Sequence, residues 1–212
     1  MRTTLKLVSL VWLGLLTSTV HAQDGALVGA ERDRVLKTLS QAVQSTRTVR
    51  GGFVQTNPNG SRATGFYWLQ RPGKVRFDYD PPSPLTLVAD GKTVAIRDRA
   101  LKTTDRFSQN ATPLSLVLKP RIDFAADARV SHVRRLGPQI AVTARDRKGE
   151  ADGEITLVFD EKTRVIREWS IRDSAGQTTR VVLVSQNVSG PVDARAFDWR
   201  ELTKDKPYIP PR

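Results

Sequence analysis

The stretch GFYWLQRPGKVRFDYDPPSPL, residues 65 to 85, decides the fold. Two aromatic-rich runs flank RPGK. In the second, Val75, Phe77 and Tyr79 fall on one face while Arg76, Asp78 and Asp80 fall on the other. A period of two, bounded by proline and glycine, marks half-buried β-strands joined by a tight turn. In the first run, Phe66 and Trp68 share a face that Tyr67 does not. Such a density of aromatic side chains suits a packed core or the wall of a site for something apolar, and the pattern alone keeps both open.

The same period runs outward in both directions. GGFVQT precedes the stretch, and LTLVA, KTVAIR and ALKTTDRF follow it, with turn signals at NPNG, ADGK and RDRA. This is an antiparallel meander, because the connections are too short for βαβ crossovers. VSHVRRL, QIAVTARDR, GEITLVFD, RVIREWSIRD and QTTRVVLVSQNV supply five further strands, about eleven in all. Between the two sets, residues 108–127 (SQNATPLSLVLKPRIDFAAD) break the pattern, with a short apolar run between Pro113 and Pro120 that fits one or two helical turns.

Upstream, ERDRVLKTLSQAVQST carries Val35, Leu36, Leu39, Ala42 and Val43 at three- and four-residue spacing, an amphipathic helix over 31–46 that needs a partner surface. Glu31 and Asp33 are placed in its first turn, where the free amides favour negative charge, and Gly51 and Gly52 are read as separating it from the first strand. FYWL and VVLV are apolar at consecutive positions, so both sheet faces are partly buried there. The expected architecture is mainly β: an unclosed, strongly bent antiparallel sheet whose apolar face is covered by helices. The tail after residue 190 reads as partly regular, with Phe197 and Trp199 as anchors and PYIPPR extended or loose.

The first residues form a basic start (Arg2, Lys6), an apolar run about ten residues long and a small-residue site at Val20 and Ala22, a Sec-type signal peptide over residues 1–22. The run is shorter than the roughly 20 residues a membrane span requires. Residues 23–212 are then one exported, soluble domain with no cysteine to staple or lipidate. The formal charge of +12 becomes +10 without Arg2 and Lys6. Dispersed basic residues and export argue against nucleic acid, leaving a solvated sheet face, an acidic protein or a transient contact with an anionic membrane surface.

Reaction chemistry is thin. Removal of His21 leaves His132 as the only histidine, and alternation puts it on the face opposite Ser131. Without cysteine, thiol catalysis and histidine or thiolate metal sites are excluded. Asp78 with Asp80, and Asp152 with Glu154, are the nearest carboxylate pairs and read as solvated turn charges. No GxGxxG or Walker loop occurs. No enzyme, cofactor or metal is expected.

The order of these motifs resembles the periplasmic outer-membrane lipoprotein carrier family, LolA. The similarity rests on Phe53, Gln55, Gly65, Trp68, Arg71, Pro72, Arg76, Tyr79, Pro82, Asp90 and Gly91, and extends from about residue 31 to Trp199. The resemblance implies a half-barrel with an apolar concave face, which shields lipoprotein acyl chains. It also implies an ATP-driven inner-membrane complex that loads the cargo and an outer-membrane receptor. By position, Arg71 matches an arginine that holds a lid closed through backbone carbonyls, and Pro113, Leu114, Leu116, Val117 and Leu118 match the lid. Candidate cavity residues are Phe66, Trp68, Phe77 and Tyr79, with Phe53, Leu87, Trp169 and Leu183 as weaker ones. A carrier of a glycolipid or free lipid, or a non-enzymatic lipoprotein sensor, uses the same residues.

Overall fold

The computed structural model describes residues 25–188, 190–204 and 208–212. The signal peptide expected at 1–22 lies outside them. A helix, α1 (Gly29–Ser45), leads into a meander of β1 (Thr48–Thr56), β2 (Arg62–Gln70), β3 (Lys74–Tyr79), β4 (Leu85–Asp90), β5 (Thr93–Asp98) and β6 (Thr103–Ser108). A second meander follows, made of β7 (Ala128–Leu136), β8 (Gln139–Asp146), β9 (Glu154–Asp160), β10 (Ile166–Arg172) and β11 (Thr178–Leu183), with a two-residue β12 (Asn187–Val188). All belong to one unclosed antiparallel sheet of 12 strands, ordered β6-β5-β4-β3-β2-β1-β11-β10-β9-β8-β7, with β12 paired to β1. The fold class is the one expected, and β12 is the added strand.

Strand order explains the break at residues 109–127. β6 and β7 are the two outer strands of the ordered path, so the segment joining them has to pass across the sheet. It does so as a 3-10 turn at Gln109–Ala111, then α2 (Ser115–Leu118) and α3 (Phe124–Asp127). Leu116, Leu118, Ile122 and Phe124 are buried and share one core with the sheet and with Leu36, Leu39 and Val43 of α1. The helix and the crossing are tied together: Ser40 Oγ accepts from the Phe124 amide at 3.1 Å, and Gln44 Nε2 donates to the Ile122 carbonyl at 2.6 Å.

Three local expectations are corrected. The helix begins at Gly29, so only Glu31 sits in its first turn. Gly51 and Gly52 lie inside β1, where a Cβ on Gly51 would stand 1.8 Å from the Ser185 carbonyl oxygen; the glycine permits close approach and is no spacer. A bulge between Val130 and His132 undoes strict alternation, so His132 Nδ1 and Ser131 Oγ lie 3.1 Å apart, both exposed on an outer strand.

The opposite sheet face is covered by the C-terminal segment. Trp68, Phe197 and Ala196 form a second buried cluster with Phe66, Val192 and Tyr208 packed on it. Leu202 and Trp199 cover Val88 and Ala95. Asp78 is no solvated turn charge: it pairs at 2.9 Å with Arg76, which is 2% exposed and also donates to the Ala196 carbonyl. Nor is the last stretch loose, because Trp68 Nε1 donates to the Pro211 carbonyl at 3.3 Å and Arg212 pairs with Asp80 at 3.0 Å. Since Phe197 is 1% exposed, Phe197→Ala should lower the unfolding free energy by about 3 kcal/mol or more in urea titrations, through lost transfer energy and the void left behind.

Candidate functional site

Helix α1 and the crossing segment do not fill the concave face. An apolar cavity of ≈ 510 Å³ remains, lined by Val49, Tyr67, Leu69, Val75, Phe77 and Trp169 together with parts of α1 and α2. Its volume falls among those of ordinary ligand pockets, about 300 to 1,000 Å³. Leu157 and Leu183 add wall from the second meander.

Register decides which aromatics reach it. The turn between Gln70 and Lys74 pairs Tyr67 with Phe77 on the concave side and Trp68 with Arg76 on the other. Phe66 and Trp68, expected in the cavity, are therefore absent from it and lie under the C-terminal segment. Tyr67, Leu69, Val49 and Val75, which were not singled out, line it instead. The register of a tight hairpin carried that information, because the face occupied by Phe77 fixes the face of its partner Tyr67.

Of the other expected residues, Phe77, Trp169 and Leu183 line the cavity. Phe53, Tyr79 and Leu87 belong to the core beside it. Phe53 meets Phe77 edge-on at 5.0 Å and Tyr79 at 5.1 Å, and its ring occupies the space a side chain at its cross-strand partner Gly65 would need. Tyr79 donates to Gln55 Oε1 at 2.7 Å; burial pushes its hydroxyl up to about 12 despite that partner. Burial alone raises Tyr67. Both phenols stay neutral at physiological pH, so the wall carries no negative charge from them.

The turn RPG closes the site. A one-turn helix such as α2 leaves its last carbonyls without helical donors. Arg71, 9% exposed, donates from one guanidinium nitrogen to the Val117 carbonyl and from the other to that of Lys119 at 2.6 Å. Between them, the Gly73 amide donates to Leu118 at 2.9 Å. Gly73 has φ +78 and a Cβ there would lie 2.7 Å from Gly91 Cα, so no larger residue fits unstrained. Burial, and secondarily the charge of Arg47, pull the Arg71 guanidinium down to about 10, which leaves it charged at neutral pH. Leu114, Val117 and Leu118 of the crossing face the cavity, whereas Pro113 and Leu116 are buried behind. Lys119 Nζ stands 3.6 Å from the buried Asp146, anchoring the far end of α2 to β8.

No group of histidine, cysteine or acidic residues among the described residues is arranged to hold a metal ion, and no helix there is long and apolar enough to cross a membrane. What the arrangement offers is a dry, aromatic volume behind a short segment held by three hydrogen bonds from one turn. Replacing Arg71 by leucine should leave Val117 and Lys119 carbonyls unsatisfied, at a local cost of about 2 kcal/mol. Amide exchange over residues 115–119 should then quicken roughly thirtyfold while the sheet amides stay protected, as read by hydrogen-exchange mass spectrometry.

The family model for the outer membrane lipoprotein carrier protein LolA matches residues 44–200. An outer-membrane lipoprotein carrier protein of Chromobacterium violaceum is 27% identical over 187 residues, covering 84% of this chain and 89% of that protein. One from Pseudomonas fluorescens is 25% identical over 208 residues, covering 88% and 90%. Among solved structures, a putative outer membrane lipoprotein-sorting protein domain from Vibrio parahaemolyticus has the same fold at 9% identity, with a TM-score of 0.52 and coverage of 83% of this chain and all 100% of that one.

Proposed function

The chain belongs to the outer-membrane lipoprotein carrier family LolA, and from that premise we propose that it is a non-enzymatic periplasmic carrier of lipoproteins. In this reading it takes a lipoprotein from an ATP-driven release complex of the inner membrane, shields the acyl chains in the concave cavity, and hands them to an outer-membrane receptor. The single observation that carries the reading is an apolar cavity of ≈ 510 Å³ closed by a segment that Arg71 holds only through backbone carbonyls.

The energetics favour this division of labour. Each methylene withdrawn from water contributes about 0.8 kcal/mol, so acyl chains bind strongly in any dry apolar volume. Release is the harder step. A lipid anchor with several chains exceeds a drug-sized pocket, so α2 has to swing aside as cargo enters. Because the sheet hydrogen bonds do not run through α2, opening exchanges the three hydrogen bonds, the Lys119–Asp146 pair and the buried contacts of α2 for contacts with cargo and leaves the strand ladder intact. Gly73 and Arg71 rebind the same carbonyls after release, which favours emptying the cavity. The single domain of residues 23–212, with about 108–127 as its lid segment, is the unit that carries out the cycle.

The test is reconstitution. Inner-membrane vesicles containing the release complex and a labelled lipoprotein are mixed with the purified protein, and release into a soluble one-to-one complex is measured. ATP-dependent release is expected. Arg71→Leu should still accept cargo yet pass it on at least about tenfold more slowly, since the lid no longer competes for the cavity. Absence of release from an active system would overturn the lipoprotein reading and turn attention to a glycolipid or free-lipid cargo, or to a sensor. Normal transfer by Arg71→Leu would remove the lid from the mechanism.

A further inference from the structure

One end of the sheet lines the cavity with charges of a single sign. β1 begins there, β2 and β11 end there, and the β9–β10 hairpin turns there. Arg47, Arg71, Arg164 and Arg167 all line the cavity at this end, and no aspartate or glutamate is among its described lining residues. Arg71 spends its donors on lid carbonyls, so its charge meets no carboxylate. Arg47 and Arg164 are exposed and have no ion-pair partner among the described residues. Arg167 has one acidic neighbour, Asp160 at 3.8 Å.

The hairpin fixes the backbone at Arg164. Asp160 Oδ1 accepts from the Thr163 amide at 2.7 Å and from its hydroxyl at 2.8 Å, and the Asp160 carbonyl accepts from the Arg164 amide. These bonds hold Arg164 in the left-handed region at φ 60, a conformation a non-glycine residue adopts only when its surroundings impose it. Like charges gathered beside an apolar wall repel one another and lose part of their hydration, and a bound anion relieves both costs. Guanidinium groups also match the planar geometry of carboxylate and phosphate oxygens.

We propose that this arginine rim selects acyl amphiphiles that carry an anionic group, a carboxylate or a phosphate, next to their acyl chains over uncharged amphiphiles of equal chain length. The inference rests on the carrier reading, since it is the acyl chain in the cavity that brings the anion to the rim. Two sources share the chemistry: a lipid with an acidic head, and a lipopeptide with an acidic residue adjoining its acylated one.

Matched pairs of fluorescent ligands separate the possibilities. A pyrene-labelled fatty acid is compared with its methyl ester, a labelled lysophosphatidylglycerol with the corresponding monoacylglycerol, and a lipopeptide bearing aspartate beside its acylated residue with the asparagine form. Dissociation constants are measured for the purified protein below the micelle concentration of each. The anionic member of at least one pair should bind about tenfold more tightly, and about 0.5 M NaCl should shrink the difference. In Arg47→Gln/Arg164→Gln, whose native residues are both exposed, the preference should fall to about twofold. Preference in the lipid pairs alone assigns the anion to a lipid head, and in the lipopeptide pair alone to the cargo protein; either supports the rim. Equal affinity within every pair overturns the inference and leaves the carrier reading intact. A preference unchanged in the double variant also overturns it, and failure of all six ligands to bind overturns both readings.

Discussion

Three donors from one turn, two on Arg71 and one on Gly73, meet the consecutive carbonyls of residues 117 to 119, and that meeting holds α2 as one wall of the cavity. The end of a one-turn helix cannot satisfy its own carbonyls, so without the RPG turn α2 would have to turn them toward water or find other donors. The arrangement has a small energy relative to the sheet ladders around it. In the proposed carrier cycle it is therefore the element of the concave face that moves while the rest stays folded.

The path of the chain makes such a segment unavoidable. Placing β1 beside β11 joins two meanders at their inner strands and leaves β6 and β7 at the outside. The connection between them crosses the face that α1 already covers in part, and the two together leave ≈ 510 Å³ unfilled. The other face keeps a smaller cavity, of ≈ 180 Å³ beside Trp68, because residues 190–204 and 208–212 pack Phe197, Trp199 and Leu202 directly on Trp68, Val88 and Ala95. One sheet thus has a more fully covered side, which supplies rigidity, and a side whose cover is partial. Buried Arg76, paired with Asp78 and bonded to Ala196, fastens the more fully covered side with polar contacts in addition to packing.

The cavity combines this apolar depth with a cationic rim. Tyr67 and Tyr79 remain neutral through burial, and the charged residues among the described lining of the cavity are all arginines. Dispersed along the sequence, these arginines look like ordinary solvated residues of a chain with a net charge of +12. Their convergence comes from strand ends that are far apart in sequence and adjacent in space: Arg47 before β1, Arg71 after β2, Arg164 and Arg167 in the β9–β10 hairpin.

By itself the sequence determined the strands, the amphipathic helix and the interruption at 108–127, because period two, period 3.6 and proline are local signals that survive without neighbours. Through resemblance to a family it also raised the expectation that Arg71 holds a lid made of Pro113, Leu114, Leu116, Val117 and Leu118. It did not decide which face of each strand looks inward. Phe66 and Trp68 are as apolar as Tyr67 and Leu69, and both sides of β2 are buried. Only the tertiary structure chose between them, because the identity of the concave face depends on sheet curvature and on what packs against each side. The C-terminal segment, irregular and unremarkable in pattern, claimed Trp68, and α1 with α2 left Tyr67 at the cavity. The arginine rim was hidden for the same reason: a charge cluster built from four strand ends has no local period, and it appears only when long-range pairing brings those ends together.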